Sequence, residues 1–414
     1  MKHIFWIFFG VIVIVFLCRP GEAMAGIYLD SAHGNSTYGV NRSSISSLGY
    51  ARANCAHCHE QHASIEGSEP APSDGPSAAL LFYDNHVSQT DGACMKCHTD
   101  VAAVQTDGGI VNRSYSYRAG AWTADTLNDI AEAFAFTTSL TYPSSSSHNL
   151  ADIRTFISAG AQSSWKYTSK ANPCVACHDP HAVQGDPTHD GFTPKNDLAR
   201  GWMLSLPSQH GSAPWGLWGD DVGERMSSYS SSYQALLRWG GGVFEPDGTS
   251  VEDGSNLTDF NTFCIDCHNS TNTIYSSLLS RNLIKINWGQ DRHGLPSSLS
   301  ATLIAPYTSG VSYVLACTDC HEPHGSPNVF LIRQEVNNGQ VSATGLAPDT
   351  GGTQMASLCE RCHGDGGTVM ASHSAIQGGA SCIICHPSGG YTDCISCHYH
   401  GSSATVNSVT YLSF

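Results

Sequence analysis

The sequence predicts a loop-rich fold with a few short helices, minor β-structure and low regular secondary structure. Three observations support this class. The chain is polar and rich in glycine, with 41 glycines in 414 residues and only 13% charged residues, so the polypeptide alone is not expected to build large apolar cores. The pattern C-x-x-C-H, typical of a covalent c-type haem site, occurs eight times. Its unequal spacing excludes a regular solenoid, which needs a constant repeat. Haem groups are therefore expected to form the core.

Each C-x-x-C-H motif supplies two cysteines for thioether bonds and one histidine for the proximal side of the haem iron, which predicts eight covalent haem c groups. The thioether cysteines are Cys55, Cys58, Cys94, Cys97, Cys174, Cys177, Cys264, Cys267, Cys317, Cys320, Cys359, Cys362, Cys382, Cys385, Cys394 and Cys397. The proximal histidines are His59, His98, His178, His268, His321, His363, His386 and His398. Zinc sites and disulfides also use cysteine pairs, but neither requires a histidine directly after the second cysteine. The motifs and their haem sites are numbered one to eight in chain order.

The N-terminus, residues 1–25, has a basic start, an apolar run and a small-x-small end at Ala23-Met24-Ala25, which is typical of a secretory signal peptide. The apolar run is shorter than the about 20 residues that a membrane helix needs. We therefore expect export to the periplasm, the outer cell surface or the extracellular space, with no transmembrane span after cleavage. Of the 17 cysteines, the one outside the motifs, Cys18, lies in this segment.

Haem motifs divide the rest of the chain into three parts. Residues 26–120 hold two motifs, residues 121–300 hold two motifs separated by long inserts, and residues 301–414 hold a four-motif cluster. The clearest helical periodicity covers residues 123–136, and weaker helical patterns cover 232–239 and 273–283. The C-terminal stretch TVNSVTYLSF alternates apolar and polar residues, which predicts an edge strand.

A second set of histidines is available for the distal side of each iron. Methionine is the other common ligand, but the chain has only seven methionines, and one of them lies inside a haem motif. Three further histidines fit less well: His57 lies between two thioether cysteines, His189 lies in a predicted turn, and His400 is close to His398. The distal candidates are His33, His62, His86, His148, His181, His210, His293, His324 and His373.

Three motifs are followed at once by another histidine, in CAHCHEQH (55–62), CVACHDPH (174–181) and CTDCHEPH (317–324). We call these segments histidine doublets. Three residues rise only about 4.5 Å along a helix, so the trailing histidine stays on the proximal side of its own porphyrin. We therefore expect His62, His181 and His324 each to bind a different haem, or alternatively to lie at the surface near a haem edge.

Charge and composition narrow the function classes. The formal net charge of −16 argues against nucleic acid, which requires a basic patch, and favours basic partners or cations. The leading hypothesis is an electron carrier with no substrate pocket and no catalytic residues. The alternative is an octahaem enzyme of the nitrite, hydroxylamine or tetrathionate type, with one open haem. Such enzymes sometimes replace the proximal histidine by lysine, and no C-x-x-C-K occurs here.

The doublets CHEQH, CHDPH and CHEPHG resemble the doubled-C-x-x-C-H multihaem c-type cytochromes exported by metal-reducing bacteria. The resemblance covers the chain after residue 25 in motif type, although not in haem spacing. It implies a loop-rich multihaem cytochrome with low-potential bis-histidine haems. It also implies electron transport in the periplasm or to the cell exterior, with other redox proteins or external acceptors as partners. Some relatives form filaments in which an N-terminal histidine binds a neighbour's haem, and His33 holds a comparable position for a homopolymer.

Overall fold

The structure is a computed structural model of the whole chain. It describes residues 28–29, 31, 33–37, 39–60, 80–82, 89–90, 92–99, 104–106, 130–136, 145–160, 165, 167–178, 180–181, 234–235, 238–239, 243–244, 260–291, 293–294, 303–304, 314–315, 317–337, 339–342, 358–363, 400–406 and 409–413. Six of the eight haem motifs, the first to the sixth, lie within these ranges. The predicted signal peptide lies outside them.

Helices in the described ranges are short, and the longest has eight residues. The α-helices are α1 (Ser43–Ser46), α2 (Ile130–Phe134), α3 (Leu150–Ile157), α4 (Phe260–Ile265) and α5 (Cys317–Cys320). Turns of 3₁₀ helix span Cys55–His57, Cys94–Lys96, Pro173–Ala176, Trp288–Gln290 and Val329–Leu331.

Strands pair in twos, and no described sheet exceeds two strands. The strands are β1 (Ser146–Ser147), β2 (Gln234–Ala235), β3 (Arg238–Trp239), β4 (Val243–Phe244), β5 (Tyr275–Ser276), β6 (Arg281–Asn282), β7 (Val314–Leu315), β8 (Gly325–Ser326), β9 (Glu335–Val336), β10 (Gly339–Gln340), β11 (Ser402–Val406) and β12 (Val409–Ser413). Antiparallel pairs join β1 to β8, β3 to β4, β5 to β6, β9 to β10 and β11 to β12, whereas β2 and β7 are parallel. The predicted loop-rich class is confirmed.

The helix predictions had mixed outcomes. Helix α2 confirms the end of the 123–136 prediction, whose residues 123–129 lie outside the described ranges. The helix prediction for 273–283 is wrong, because this stretch forms the β5–β6 hairpin. A contact with α3 stabilises the turn of this hairpin: Asp152 accepts hydrogen bonds from the backbone and hydroxyl of Ser277, at 2.8 and 3.0 Å. Within the same turn, Ser280 has a left-handed φ of 51°. The helix prediction for 232–239 is also wrong, since β2 and β3 lie there.

The C-terminal strand prediction is confirmed for β12, and its partner is β11 of the same chain, with Val406 opposite Val409. Helix α3 was not predicted from the sequence, although its start carries a capping signal. Asn149 accepts a hydrogen bond from the Asp152 backbone N–H at 2.9 Å, which satisfies a free donor of the first turn. Leu150 and Ile157 lie seven residues apart on one face of this helix, and both are buried.

Two apolar clusters in the described ranges are small. One cluster joins Val329, Ile332, Val336 and Val341. Another joins Met95 of the second motif to Phe134 of α2 and Leu150 of α3. Clusters of this size stabilise turns rather than a whole domain, which agrees with the low core-forming capacity inferred from composition.

The first and fifth motifs share a backbone arrangement that the sequence does not reveal. His59 forms an isolated antiparallel β-bridge with Leu81, and His321 forms one with Ile332. In both cases the residue before the bridge partner has a left-handed φ, 56° at Leu80 and 59° at Leu331. Each of these leucines accepts a hydrogen bond from the residue after the motif histidine, at 2.6 and 2.7 Å. Two motifs far apart in sequence are thus held by the same local structure.

Within the described residues, no helix is long and apolar enough to cross a membrane. The division of the chain into residues 26–120, 121–300 and 301–414 stays a prediction.

Candidate haem sites

One helical turn recurs at all six described C-x-x-C-H motifs. The backbone N–H of each motif histidine donates to the carbonyl of the first cysteine at 2.9–3.0 Å. Residues three and four positions apart lie on the same face of a helical turn. The turn therefore directs both cysteines and the histidine to the same side, as attachment to one porphyrin requires.

No disulfide joins the described cysteines. Asparagine side chains fix the start of several motif turns. Asn54 accepts from the Ala56 backbone N–H and Asn172 accepts from that of Cys174, both at 3.0 Å. Asn261 of α4 caps the fifth motif from a distance, accepting from the Cys317 backbone N–H at 2.8 Å. The thiols are thus held in defined positions and are available for thioether bonds.

Every described motif histidine faces a second imidazole. The six pairs have ring centres 5.9–6.4 Å apart and join residues distant in sequence. In site order they are His59 with His181 at 5.9 Å, His98 with His33 at 6.1 Å, His178 with His324 at 5.9 Å, His268 with His148 at 6.1 Å, His321 with His400 at 6.0 Å, and His363 with His293 at 6.4 Å.

The separation of these ring centres has the value expected for an iron held between two imidazoles. A first-row metal about 2 Å from each of two imidazole nitrogens places the ring centres roughly 6 Å apart. Directly packed aromatic rings have centres about 4.5–7 Å apart, so the recurrence of one such pair at each described motif, rather than the distance alone, supports ligation. The paired rings therefore fit axial ligation of haem, with one pair for each described motif.

Hydrogen bonds at Nδ1 orient several of the paired rings. His33 donates to the Pro180 carbonyl at 2.7 Å, and His148 donates to the Pro323 carbonyl. His321 donates to the Phe330 carbonyl at 2.8 Å. A histidine that donates from one ring nitrogen presents the other nitrogen as a metal ligand in a fixed orientation. These bonds thus leave Nε2 for the iron.

Burial favours the neutral form of six of the paired rings, and ligation requires a neutral imidazole. It lowers the pKa of His98 to about 3, and those of His268 and His321 to about 4. The same cause lowers the pKa of the facing histidines His33, His148 and His181.

The doublet histidines lie away from their own motifs. His181, from the third motif, faces His59 of the first motif in near-parallel rings, 6° apart. His324, from the fifth motif, faces His178 of the third motif at 5°. Each trailing histidine is therefore placed opposite the proximal histidine two motifs earlier in the chain.

A short sheet places two of the distal candidates next to each other. Strands β1 and β8 pair Ser147 with Gly325, and the His148 backbone N–H donates to the His324 carbonyl at 3.3 Å. A Cβ atom at Gly325 would lie 2.0 Å from the Ala133 carbonyl oxygen, so the close approach of α2 requires glycine. This contact explains the glycine directly after the CHEPH doublet.

Two histidines set aside in the sequence analysis have different positions. His400 faces His321, as the distal candidates face their motif histidines. Its sequence signal was available, since CISCHYH (394–400) places it directly after a haem motif, as in the doublets. His57 is fully buried and uses both ring nitrogens for structure. Nδ1 accepts from the Arg42 backbone N–H at 3.0 Å, and Nε2 donates to the Ala51 carbonyl at 2.9 Å.

Several candidate residues lie outside the described ranges. They are the distal candidates His62, His86, His210 and His373, the proximal histidines His386 and His398, and the cysteines Cys382, Cys385, Cys394 and Cys397.

The first four motifs are neighbours in chain order. Burial and the thiols of Cys97 and Cys94 raise the pKa of Cys58 to about 12, which places the first and second motifs within electrostatic reach. A hydrogen bond between the thiols of Cys94 and Cys174 joins the second and third motifs. Burial raises the pKa of Cys177 to about 12, and Cys264 of the fourth motif adds to this shift.

The same order continues to the sixth motif. The side chain of Asn261, on α4 beside the fourth motif, donates to the Leu315 carbonyl at 2.6 Å, in addition to capping Cys317 of the fifth motif. Burial raises the pKa of Cys320, and the nearby thiols of Cys362 and Cys359 in the sixth motif raise it further. The six described motifs therefore form one continuous series.

Comparison with known families supports the haem assignment. The family model described as the doubled CXXCH motif matches residues 306–368, which contain the fifth and sixth motifs. No curated protein and no solved structure matches the chain. The C-x-x-C-H motifs thus indicate covalently bound haem c, the cofactor of c-type electron transfer.

Proposed function

We propose that this chain is an octahaem c-type cytochrome that transfers electrons through a chain of closely packed bis-histidine haems. One observation carries the proposal. All six described motif histidines face a second imidazole with ring centres 5.9–6.4 Å apart, and the six motifs follow one another in space.

The chain's residues hold and orient the cofactor. The paired cysteines would form the thioether bonds to haem, and the motif histidines and facing histidines would hold its iron as proximal and distal ligands. In the described ranges the distal ligands are His181, His33, His324, His148, His400 and His293, for the first to the sixth site. Covalent haem c supplies a one-electron iron couple at each site. Histidine on both sides gives low potentials, because the upward shift that methionine causes is absent.

Proximity between consecutive motifs supports a continuous electron path. The side chains of Cys94 and Cys174 touch, and Asn261 holds the fourth and fifth motifs together. Each trailing histidine of the third and fifth motifs also reaches a site two motifs earlier. A haem therefore cannot move without moving the backbone segment that carries another haem, which keeps the spacing between haems fixed.

The arrangement supports an electron carrier over an octahaem enzyme. An enzyme of that kind leaves one side of an iron open for substrate. At the six sites within the described ranges, a second imidazole lies opposite each motif histidine, on the side where substrate would bind.

We propose an exported location, with other redox proteins or external electron acceptors as partners. The N-terminal segment supports export, and the net charge of −16 supports basic partners over nucleic acid. His33 faces His98 of its own chain. This position favours a role within the chain over the filament contact that the family resemblance implies for His33.

Low-temperature electron paramagnetic resonance of the oxidised holoprotein tests the proposal. We expect only low-spin ferric signals, together with an intact mass that corresponds to eight haems. A substantial high-spin signal from a pentacoordinate haem would favour the enzyme. A mass with fewer haems on the fully matured protein would overturn the octahaem count.

A further inference from the structure

Asp291 is a buried carboxylate whose two oxygens contact two of the distal histidines. It follows the turn Trp288–Gln290, and its side chain is 0% exposed. Oδ2 accepts from His400 Nδ1 at 2.9 Å and from the Gly401 backbone N–H at 3.1 Å. Oδ1 accepts from the His293 backbone N–H at 2.7 Å and lies 3.5 Å from His293 Nδ1. One carboxylate thus holds the segments that carry both imidazoles.

The two imidazoles belong to consecutive sites. His400 faces His321 of the fifth motif, and His293 faces His363 of the sixth motif. Asp291 therefore lies between the distal ligands of two neighbouring haems, and its charge is close to both.

The surrounding chain fixes this junction. The Trp288 ring packs edge-on against His400 with ring centres 5.1 Å apart. The Asn287 backbone N–H donates to the His400 carbonyl at 3.1 Å. Gly401 has a φ of 75°, and a Cβ atom there would lie 2.3 Å from the Asn287 carbonyl oxygen. The Asp291 segment and the His400 segment are therefore docked closely, and the docking requires glycine at position 401.

Three N–H groups donate hydrogen bonds to this carboxylate: Nδ1–H of His400 and the backbone N–H groups of His293 and Gly401. Two other distal histidines have neutral partners: His33 and His148 donate to the backbone carbonyls of Pro180 and Pro323. A carboxylate that accepts a hydrogen bond from Nδ1–H makes the imidazole a stronger electron donor to iron. Its negative charge also opposes the addition of an electron to the nearby iron.

We propose that Asp291 is a shared positioning residue, which orients the distal ligands of the fifth and sixth haems and lowers the reduction potentials of both. The inference rests on the proposed bis-histidine electron carrier and adds a local source of potential differences along it. The effect is larger at the fifth haem, because His400 makes the direct hydrogen bond. It is smaller at the sixth haem, where Oδ1 is occupied mainly by the His293 backbone.

A matched pair of variants distinguishes a carboxylate that acts on two haems from one that acts on a single haem. Glu322 is also buried, and its Oε1 accepts from His324 Nδ1 at 2.7 Å, so it contacts the distal ligand of one haem. The experiment is a spectroelectrochemical titration of the holoprotein, comparing Asp291→Asn and Glu322→Gln with the unaltered chain. We expect Asp291→Asn to raise two one-electron transitions, the larger by a tenfold change in equilibrium, or about 59 mV. Glu322→Gln should raise one.

Several results would overturn the inference. A titration curve of Asp291→Asn that matches the unaltered protein, with all haems low-spin, removes any influence on potential. A shift of a single transition shows that the carboxylate is not shared. If Asp291→Asn makes a haem high-spin, positioning is supported, and Asp291→Glu, which restores the charge, should recover low-spin ligation. Failure of that recovery contradicts the role. High-spin haem in the unaltered protein would instead overturn the proposed function itself.

Discussion

Two histidine doublets contain a proline and are called the proline doublets here. These doublets and the region around Asp291 each hold a distal imidazole through its Nδ1 atom, but they use different hydrogen-bond acceptors. In CVACHDPH (174–181) and CTDCHEPH (317–324), a proline carbonyl accepts a hydrogen bond from the distal histidine of the preceding site. The trailing histidine then faces the motif histidine two sites earlier. In the third region His400 again trails a motif and faces a distant motif histidine, but the carboxylate of Asp291 takes the place of the carbonyl.

The delivery of an imidazole to a haem site and the charge of the group beside that imidazole therefore vary independently. A short segment after a C-x-x-C-H motif delivers an imidazole to another site in all three regions. The partner of Nδ1 differs among the distal histidines: it is a neutral proline carbonyl for His33 and His148, and a buried carboxylate for His324 and His400. The same ligand pair can therefore serve haems of different potential, because the second hydrogen bond changes the electron donation of the imidazole.

The largest expected effect concerns folding, and it should be the same for both kinds of region. Apolar clusters in the described ranges are small, so haem is expected to supply much of the folding free energy. Chain produced without haem attachment should lack most of the far-ultraviolet circular dichroism of the holoprotein. Persistent hydrogen-exchange protection around Asp291 in such a chain would show that this region folds on its own network.

Removing a trailing histidine should have the next largest effect. His181→Ala, His324→Ala and His400→Ala should each make one haem high-spin, because each removes one distal ligand. The haem of the variant's own motif should stay six-coordinate. Electron paramagnetic resonance and visible spectra of the three holoproteins measure this.

The rate of electron conduction should decrease only slightly in these variants, although one iron loses its distal ligand, because the neighbouring haems keep their spacing. His57→Ala serves as a control for removing a buried histidine. If His324→Ala makes the haem held by Cys317 and Cys320 high-spin, His324 is a ligand of its own motif's haem. That result would contradict the prediction that the trailing histidine of each proline doublet binds the haem of another motif.

The His57 variant has a predicted outcome of its own. His57→Ala removes the acceptor of the Arg42 backbone N–H and the donor to the Ala51 carbonyl. A buried group left without its partner costs about 1–3 kcal/mol. Chemical denaturation should show this loss in the free energy of unfolding, while the haem spectrum stays low-spin. A new high-spin signal would show that buried histidines outside the six pairs also take part in ligation.

The smallest effect concerns the asparagine caps of the two proline doublets. Asn172→Ala removes one capping bond of the third motif and should lower the stability by about 1 kcal/mol. Asn261→Ala should cost more, because Asn261 both caps Cys317 and donates to the Leu315 carbonyl. Thermal unfolding of the two holoproteins gives the comparison. Equal losses would show that the link between the fourth and fifth motifs adds no stability.

The sequence by itself determined the local chemistry. C-x-x-C-H specifies thioether attachment and a proximal histidine because one helical turn brings residues i, i+3 and i+4 to a single face. A chain poor in apolar periodicity also predicts the loop-rich fold that the structure has. The short reach of three residues predicted that His324 would lie away from its own motif. This reach depends only on backbone dimensions and requires no tertiary contact.

Only the tertiary structure decided which imidazole faces which motif. His178 and His324 are 146 residues apart in the numbering, and no local pattern connects them. The β1–β8 pairing, which places His148 beside His324, consists of two residues on each strand and is too short to predict. The left-handed Leu80 and Leu331 and the β5–β6 hairpin also depend on distant partners. His400 and the buried carboxylate of Asp291 meet across more than 100 residues, because hydrogen bonds and packing act through space rather than along the chain.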